Sequence, residues 1–229
     1  MRSVWVVLSL FLFSASALST SAFGLTFPYT ESFTSDAAGW TGPGTSQALA
    51  HFATGGVDDG GYVAHAASNP AGNYMSAAQG GIVFRANMSA NASGGAFVGN
   101  WLDGGVTRVQ AYVKHDYDVA PVEFYVRVTR GAAAIFFADS AVAASDDWTL
   151  VNFEISEANY ESGGGAFDFV LGGVQNFMIG ARIPENLATG ATPVIFSLDE
   201  VSLVPEPSSI ALLLTTAMCG VSFRRRRDR

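Results

Sequence analysis

The stretch Val122–Arg130, VEFYVRVTR, alternates apolar and polar side chains over its first eight residues. Successive side chains of a β-strand point to opposite faces of a sheet, so this alternation predicts a strand with one buried face and one outward face. The buried face would carry valines and Phe124, and the outward face would carry Tyr125 and Arg127. A strand of this kind needs a second layer to cover its apolar side.

A second strand of the same type lies just upstream at Val106–His115, with Arg108, Gln110 and Tyr112 on its outward side. Five more segments also predict strands, at 61–66, 82–88, 148–155, 177–183 and 194–203. Clusters of glycine and aspartate separate them, as is typical of turns. No uninterrupted helical period of about a dozen residues occurs between the two chain ends. The pattern predicts an all-β fold, a two-sheet antiparallel β-sandwich.

Both ends of the chain have the composition of sorting segments. Residues 1–22 predict a secretory signal peptide, with Arg2 as its positive region, an apolar run at 4–13 and small residues before a cleavage site. Cleavage after Ala17 or after Ala22 fits the pattern, and we favour Ala22. Residues 23–203 then form one domain of ordinary size, and residues 204–229 form a C-terminal tail.

The tail has three parts in a fixed order. It begins with the motif Pro205, Glu206 and Pro207, continues with an uncharged apolar run at 210–223, and ends with the basic cluster Arg224, Arg225, Arg226 and Arg227. As a transmembrane helix the apolar run would rise about 21 Å, which is short against a hydrocarbon core of about 30 Å. The arginines would remain in the cytoplasm, leaving the domain on the outside.

This order of parts resembles the PEP-CTERM sorting signal of Gram-negative bacteria. The resemblance implies an exosortase, a membrane transpeptidase-like enzyme, as partner. It also implies a transient inner-membrane anchor and a final location in the cell envelope, at the cell surface or in the extracellular exopolysaccharide matrix. An ordinary tail anchor with a basic stop-transfer flank is the alternative.

Charge and cysteine content narrow the functions open to the domain. The single cysteine, Cys219, lies in the tail, so residues 23–203 contain no disulfide. That range holds 18 acidic and 6 basic residues, a net charge of −12. Such a field repels nucleic acid and anionic lipid, and it argues against an anionic polymer as substrate.

The two ends of the domain carry a second resemblance. An opening Glu31-Ser32-Phe33 followed by Gly39-Trp40, and a closing Asp199-Glu200-Val201-Ser202-Leu203, are similar to jelly-roll domains of the galactose-binding-like group, which includes many carbohydrate-binding modules. The resemblance implies that Glu31 and Asp199 share a structural Ca²⁺ with carbonyls of the 55–61 loop, and with Asp58 or Asp59 as further ligands. The alternative is two exposed carboxylates at strand ends without a metal.

The outward face of the two best strands is the candidate glycan-binding surface. Arg108, Gln110, Tyr112, Tyr125 and Arg127 combine flat aromatic rings with hydrogen-bonding groups that suit sugars. If the two strands share a sheet, the two tyrosines lie on the same outward side. Asn152 and Arg182 are expected to extend this face, and Trp101 is the candidate for a stacking platform on a loop. A solvated sheet face without a ligand is the alternative.

The sequence offers little for catalysis. Its three histidines have no metal-ligand spacing, and it contains no nucleophile elbow, HExxH motif or phosphate-binding loop. The carboxylate pairs lie in turn-like sequence, where aspartate is favoured for local hydrogen bonds. The expected function is therefore non-catalytic, structural or adhesive, with or without glycan binding. A jelly-roll polysaccharide lyase or glycoside hydrolase is the alternative.

Overall fold

The chain folds into β-strands with short turns and one short helix. The computed structural model describes residues 29–42, 48–67, 82–182 and 193–206. The strands are β1 Tyr29–Glu31, β2 Ala50–Phe52, β3 Tyr62–Ala67, β4 Ile82–Asn87, β5 Val106–His115, β6 Val122–Arg130, β7 Ala133–Val142, β8 Ser145–Glu154, β9 Glu161–Ser162, β10 Asn176–Arg182 and β11 Val194–Pro205. Single 3₁₀ turns occupy Val57–Asp59, Met88–Ala90 and Ala92–Gly95, and the helix α1 covers Phe167–Leu171.

These strands form two antiparallel sheets. The first sheet has the order β2-β3-β11-β5-β8, with β1 also paired to β11, and the second has the order β4-β10-β6-β7-β9. The predicted all-β, two-sheet sandwich is confirmed. The strands at 106–115 and 122–130 have the predicted bounds, and the other five predicted strands are present within a few residues of theirs.

The core lies between the two sheets and is made by their alternating inward side chains. Val109, Ala111 and Val113 of the first sheet and Phe124 and Val126 of the second are all fully buried in one cluster. The rings of Phe124 and Phe196 meet across the interface at 6.3 Å between centroids. Each such apolar side chain stabilises the fold by roughly 1.5–3 kcal/mol when it leaves water.

The strand β7 was not predicted, and its environment explains why. Ile135 and Phe137 point into the core, while Phe136 between them lies half-buried on the other face, beneath two arginines. An apolar residue on each face removes the alternation that identifies a strand in sequence.

The predicted sorting segments lie almost wholly outside the described residues. These are the signal peptide 1–22, Pro207, the apolar run 210–223 and the arginine cluster 224–227. Strand β11 continues to Pro205, and the backbone N–H of Glu206 donates to the carbonyl of Gly105 at 2.8 Å. None of the helices within the described ranges is both long and apolar enough to cross a bilayer.

Candidate functional site

The predicted glycan-binding face is split between the two sheets. Strand β5 pairs with β11 and β8 in the first sheet, whereas β6 pairs with β10 and β7 in the second. Because the two sheets turn their inner sides toward each other, their outer sides face in opposite directions. The prediction of one shared face is therefore wrong. Arg108, Gln110 and Tyr112 lie on one side of the sandwich, and Tyr125 and Arg127 lie on the other.

Trp101 does not form a platform on a loop. Its side chain is fully buried, its ring centroid lies 5.8 Å from that of Phe177, and its indole N–H donates to the carbonyl of Phe97 at 3.2 Å. The glycine-rich sequence around it predicted an exposed turn, but the tryptophan fills the end of the core. The expectation that it stacks on a sugar is wrong.

The outer side of the second sheet gathers an unusual set of side chains, which we call the arginine–tyrosine face. It is made of Arg85 from β4, Tyr125 and Arg127 from β6, Phe136 from β7 and Arg182 from β10. Strand register sets their spacing, because Met178 of β10 pairs with Arg85 on one side and with Arg127 on the other, and Arg127 pairs with Phe136. Arg182 was expected to extend the face shared by both strands, and it lies on the side that holds Tyr125, with its guanidinium 5.0 Å from the ring centroid.

Tyr125 lies flat on this face because its neighbour in β10 is a glycine. Gly180 is paired with Tyr125, and a Cβ added there would collide with the ring carbon Cζ and the hydroxyl oxygen. The ring is also flanked by Phe136, at 5.8 Å between centroids. As a result Tyr125 is only 1% exposed although it points away from the core.

Two arginines of the face, Arg182 and Arg127, differ in their partners. Arg182 forms ion pairs with Glu123 at 2.7 Å and with Glu161 at 2.9 Å, so its charge is compensated. The guanidinium of Arg127 lies 5.5 Å from the ring centroid of Phe136 and makes only a long contact, 3.6 Å, with the sulfur of Met178. Within the described part of the chain no carboxylate lies within ion-pair distance of Arg127.

Two hydrogen-bond donors on this face are buried without an acceptor. Among the described residues, nothing accepts from or donates to the Tyr125 hydroxyl, and nothing accepts from Nε of Arg127. Burial raises the pKa of Tyr125 to about 12, against the opposing effect of the positive charges of Arg182, Arg127 and Arg85. The hydroxyl therefore stays protonated and can donate. Buried polar groups in proteins nearly always have a partner, so these two donors are exceptions to the rule.

The outer side of the first sheet is different, because its polar groups contact each other. Gln110 donates to Asn152 at 2.7 Å, and the ammonium of Lys114 lies 4.6 Å from the ring centroid of Trp148 and 5.0 Å from that of Tyr62. Asn152 was expected to extend the face of Gln110, and it does. These interactions satisfy the groups that make them, so this side gives a weaker argument for a ligand.

Glu31 and Asp199 lie at one end of the first sheet, where β1 pairs with the second half of β11. The carboxyl of Asp199 accepts backbone N–H groups from Val57 at 2.8 Å and from Glu200 at 2.7 Å. Its side chain is 1% exposed, so the alternative of two exposed carboxylates is wrong for this residue. The pKa of Asp199 is raised to about 6, mainly by burial and in smaller part by the negative charges of Glu200 and Glu31, against the opposing backbone hydrogen bonds.

Backbone oxygens of the 55–61 loop lie near the carboxylate of Asp199. A Cβ added to Gly56 would lie 2.5 Å from a carboxylate oxygen of Asp199 and 2.7 Å and 2.8 Å from the carbonyl oxygens of Gly61 and Gly60, so only a glycine fits between these groups. The two carboxylate oxygens of Glu31 accept hydrogen bonds from the Tyr29 hydroxyl and the Phe33 backbone N–H. Asp58 is exposed, as is Asp59. No group of three metal-ligating side chains exists in the described ranges, so backbone carbonyls would have to complete the coordination. Oxygen ligands of this mixed kind are those that Ca²⁺ takes in proteins.

Comparison with known proteins gives only distant similarity. No protein-family model and no curated protein sequence matches the chain. Its structure is similar to the family 11 carbohydrate-binding module of the cellulosomal cellulase Lic26A-Cel5E of Clostridium thermocellum, with a TM-score of 0.46, 11% identity, and coverage of 81% of this chain and 96% of that one. It is also similar to the CBM22-1 and GH10 modules of endo-1,4-β-D-xylanase 10B of the same organism, with a TM-score of 0.45 and 16% identity. There the match covers 78% of this chain and 28% of the xylanase chain.

Proposed function

We propose that this chain is an exported, non-catalytic β-sandwich that binds glycans through the arginine–tyrosine face. The observation that carries the proposal is the buried pair of donors, the Tyr125 hydroxyl and Nε of Arg127, which have no acceptor among the described residues. Sugar rings supply oxygen acceptors at regular spacing. They also present flat apolar faces, which pack on planar side chains.

The affinity of one such face would be low. A stacked sugar gains on the order of 1 kcal/mol per aromatic contact beyond the area it buries. Useful binding would therefore come from many copies of the domain acting on one polymer or surface. A structural or adhesive role in a matrix matches this mode of action.

Delivery of the domain is the second part of the proposal. The signal peptide 1–22 would export the chain, and the motif at 205–207 with the apolar run and arginine cluster would present it to an exosortase from a transient inner-membrane anchor. The PEP-CTERM-type order of these parts supports a final location in the envelope, at the cell surface or in the exopolysaccharide matrix of a Gram-negative bacterium. A jelly-roll sandwich tied by Ca²⁺ through Glu31 and Asp199 would suit that environment, because the domain contains no disulfide.

An enzymatic role, as a polysaccharide lyase or glycoside hydrolase, is the competing proposal. A lyase would use Tyr125 as a general base, with the arginines neutralising an acidic sugar. A base must lose its proton near the operating pH, and burial raises the pKa of Tyr125 to about 12. This opposes the catalytic role and favours binding.

The test is a glycan array probed with the full-length chain in mild detergent. We expect a defined set of glycans to bind, and both Tyr125→Phe and Arg127→Gln to weaken that binding. The matched changes on the opposite sheet, Tyr112→Phe and Arg108→Gln, should leave it unchanged. Equal loss in both pairs, or binding by no glycan, would contradict the proposal. Shortening of a bound polymer with time would replace it with the enzymatic one.

A further inference from the structure

The basic residues of the domain are unevenly distributed. Residues 23–203 contain six, and three of them, Arg85, Arg127 and Arg182, lie on the arginine–tyrosine face. Two acidic residues of the same sheet, Glu123 and Glu161, both bind Arg182, and the third, Asp139, accepts a hydrogen bond from the backbone N–H of Asn152 in β8. The face is therefore locally positive on a domain whose net charge is −12.

Two of these guanidinium groups also repel each other. Burial lowers the pKa of Arg85, and the positive charge of Arg127 lowers it further. Like charges held together in a partly buried place destabilise each other unless an anion lies between or beside them. The fold holds these two in position through their common neighbour, Met178.

The hydrogen-bonding groups of the arginine–tyrosine face are mainly donors. A guanidinium has donors and no acceptor, and the protonated Tyr125 hydroxyl has a donor for which the described residues provide no acceptor. A neutral sugar hydroxyl brings a donor as well as acceptors, so part of its capacity would find no use here. An anionic oxygen group brings acceptors alone, and it forms the stronger, charge-assisted hydrogen bonds with arginine.

We infer that the arginine–tyrosine face takes an anionic sugar residue, whose carboxylate or sulfate oxygens accept hydrogen bonds from Arg127 and Tyr125. The inference rests on the proposed glycan-binding function and names the class of glycan. This inference reverses the expectation that the net negative charge of the domain disfavours an anionic polymer as ligand. At physiological ionic strength the screening length is about 8 Å, so groups within the face outweigh the distant carboxylates of the domain.

Matched probes separate the anionic group from the sugar that carries it. The full-length chain is titrated with galacturonic acid oligomers, with the same oligomers as methyl esters, and with a sulfated oligosaccharide and its desulfated form. We expect at least one anionic member to bind about 10- to 100-fold more tightly than its neutral partner, the range given by one charged hydrogen bond. The member that binds identifies carboxylate or sulfate as the group.

Two variants then test the assignment to residues. Arg127→Gln should bring the ratio between anionic and neutral members close to one, while Arg108→Gln on the opposite sheet should leave the ratio unchanged. Tyr125→Phe should weaken binding of the anionic ligand. Its melting temperature should be no lower than that of the wild type. Binding of neutral and anionic members with equal affinity would overturn this inference and leave the proposed function standing. Binding of no glycan in this set or on the array would overturn both.

Discussion

The substitution Tyr125→Phe should stabilise the protein while weakening its binding. The Tyr125 hydroxyl is buried without a hydrogen-bond partner in the described structure. An unsatisfied buried hydroxyl costs about 1–3 kcal/mol. The phenylalanine ring keeps the packing on Gly180 and the contact with Arg182, whose guanidinium lies 5.0 Å from the ring centroid. Removing the oxygen leaves a cavity of about the size of one atom, which destabilises the protein by only a few tenths of a kcal/mol.

The net gain should therefore be about 1–2 kcal/mol, or about 2–8 °C in melting temperature for a domain of this size. Thermal unfolding of the ligand-free protein by calorimetry measures it directly. Urea unfolding should show a higher midpoint with an unchanged slope, because the surface exposed on unfolding stays the same. Tyr112→Phe, at a half-buried tyrosine on the first sheet, is the control and should lie within about 0.5 kcal/mol of the wild type. A loss of 1 kcal/mol or more in Tyr125→Phe would mean that the hydroxyl has a bound partner in the free protein, and the argument for an open binding site would fail.

Three further predictions concern other parts of the chain. Gly180→Ala should push the Tyr125 ring off the face and weaken glycan binding more than Tyr125→Phe does; unchanged affinity in a binding titration would refute that role of the glycine. In EDTA, the contribution of Asp199 to stability should be fully present below about pH 4 and be lost, by at most about 3 kcal/mol, as pH rises through about 6, because Asp199 has a raised pKa in the folded state. Calcium should raise the melting temperature at pH 7 and remove that fall, and Asp199→Asn should abolish both effects; melting curves insensitive to calcium would remove the metal from the proposal. Replacing residues 205–207 with alanines should leave an uncut precursor in the inner membrane of the native host, seen by immunoblot of membrane fractions; normal processing of that variant would contradict exosortase sorting.

The alternation of side chains predicted the strands well because burial on one face is a local property. Each residue of β5 and of β6 that was expected to point inward does so. The outward side of β6 was less predictable, since Tyr125 is nearly as buried as the core residues. Its burial depends on Gly180 and Phe136, which come from strands that are distant or unrecognised in the sequence. Nothing in the pattern of β6 alone carries that information.

Sheet membership is the property that alternation does not encode. The two best strands follow each other in sequence and look alike, yet the connection at 116–121 carries the chain from one sheet to the other. Alternation shows which side of a strand is buried, but the partner strands decide which way that side faces. The resemblance linked Glu31 of the first strand to Asp199 of the last through Ca²⁺, but it did not predict that β1 and β11 pair directly. The sequence did not predict the burial of Asp199, because that burial depends on how the 55–61 loop folds.

The contrast between the two outer sides of the sandwich supports the proposed binding role of the second sheet. On the first sheet, the amide of Gln110 and the ammonium of Lys114 have partners within the protein. The second sheet carries three features that each lower stability. They are Gly180 in an interior strand, the buried Tyr125 hydroxyl, which has no partner among the described residues, and the neighbouring arginines Arg85 and Arg127. Three such costs on one outer side of the sandwich are expected where a ligand offsets them. A purely structural sandwich would gain stability by replacing any of them, so their combination favours a recognition surface.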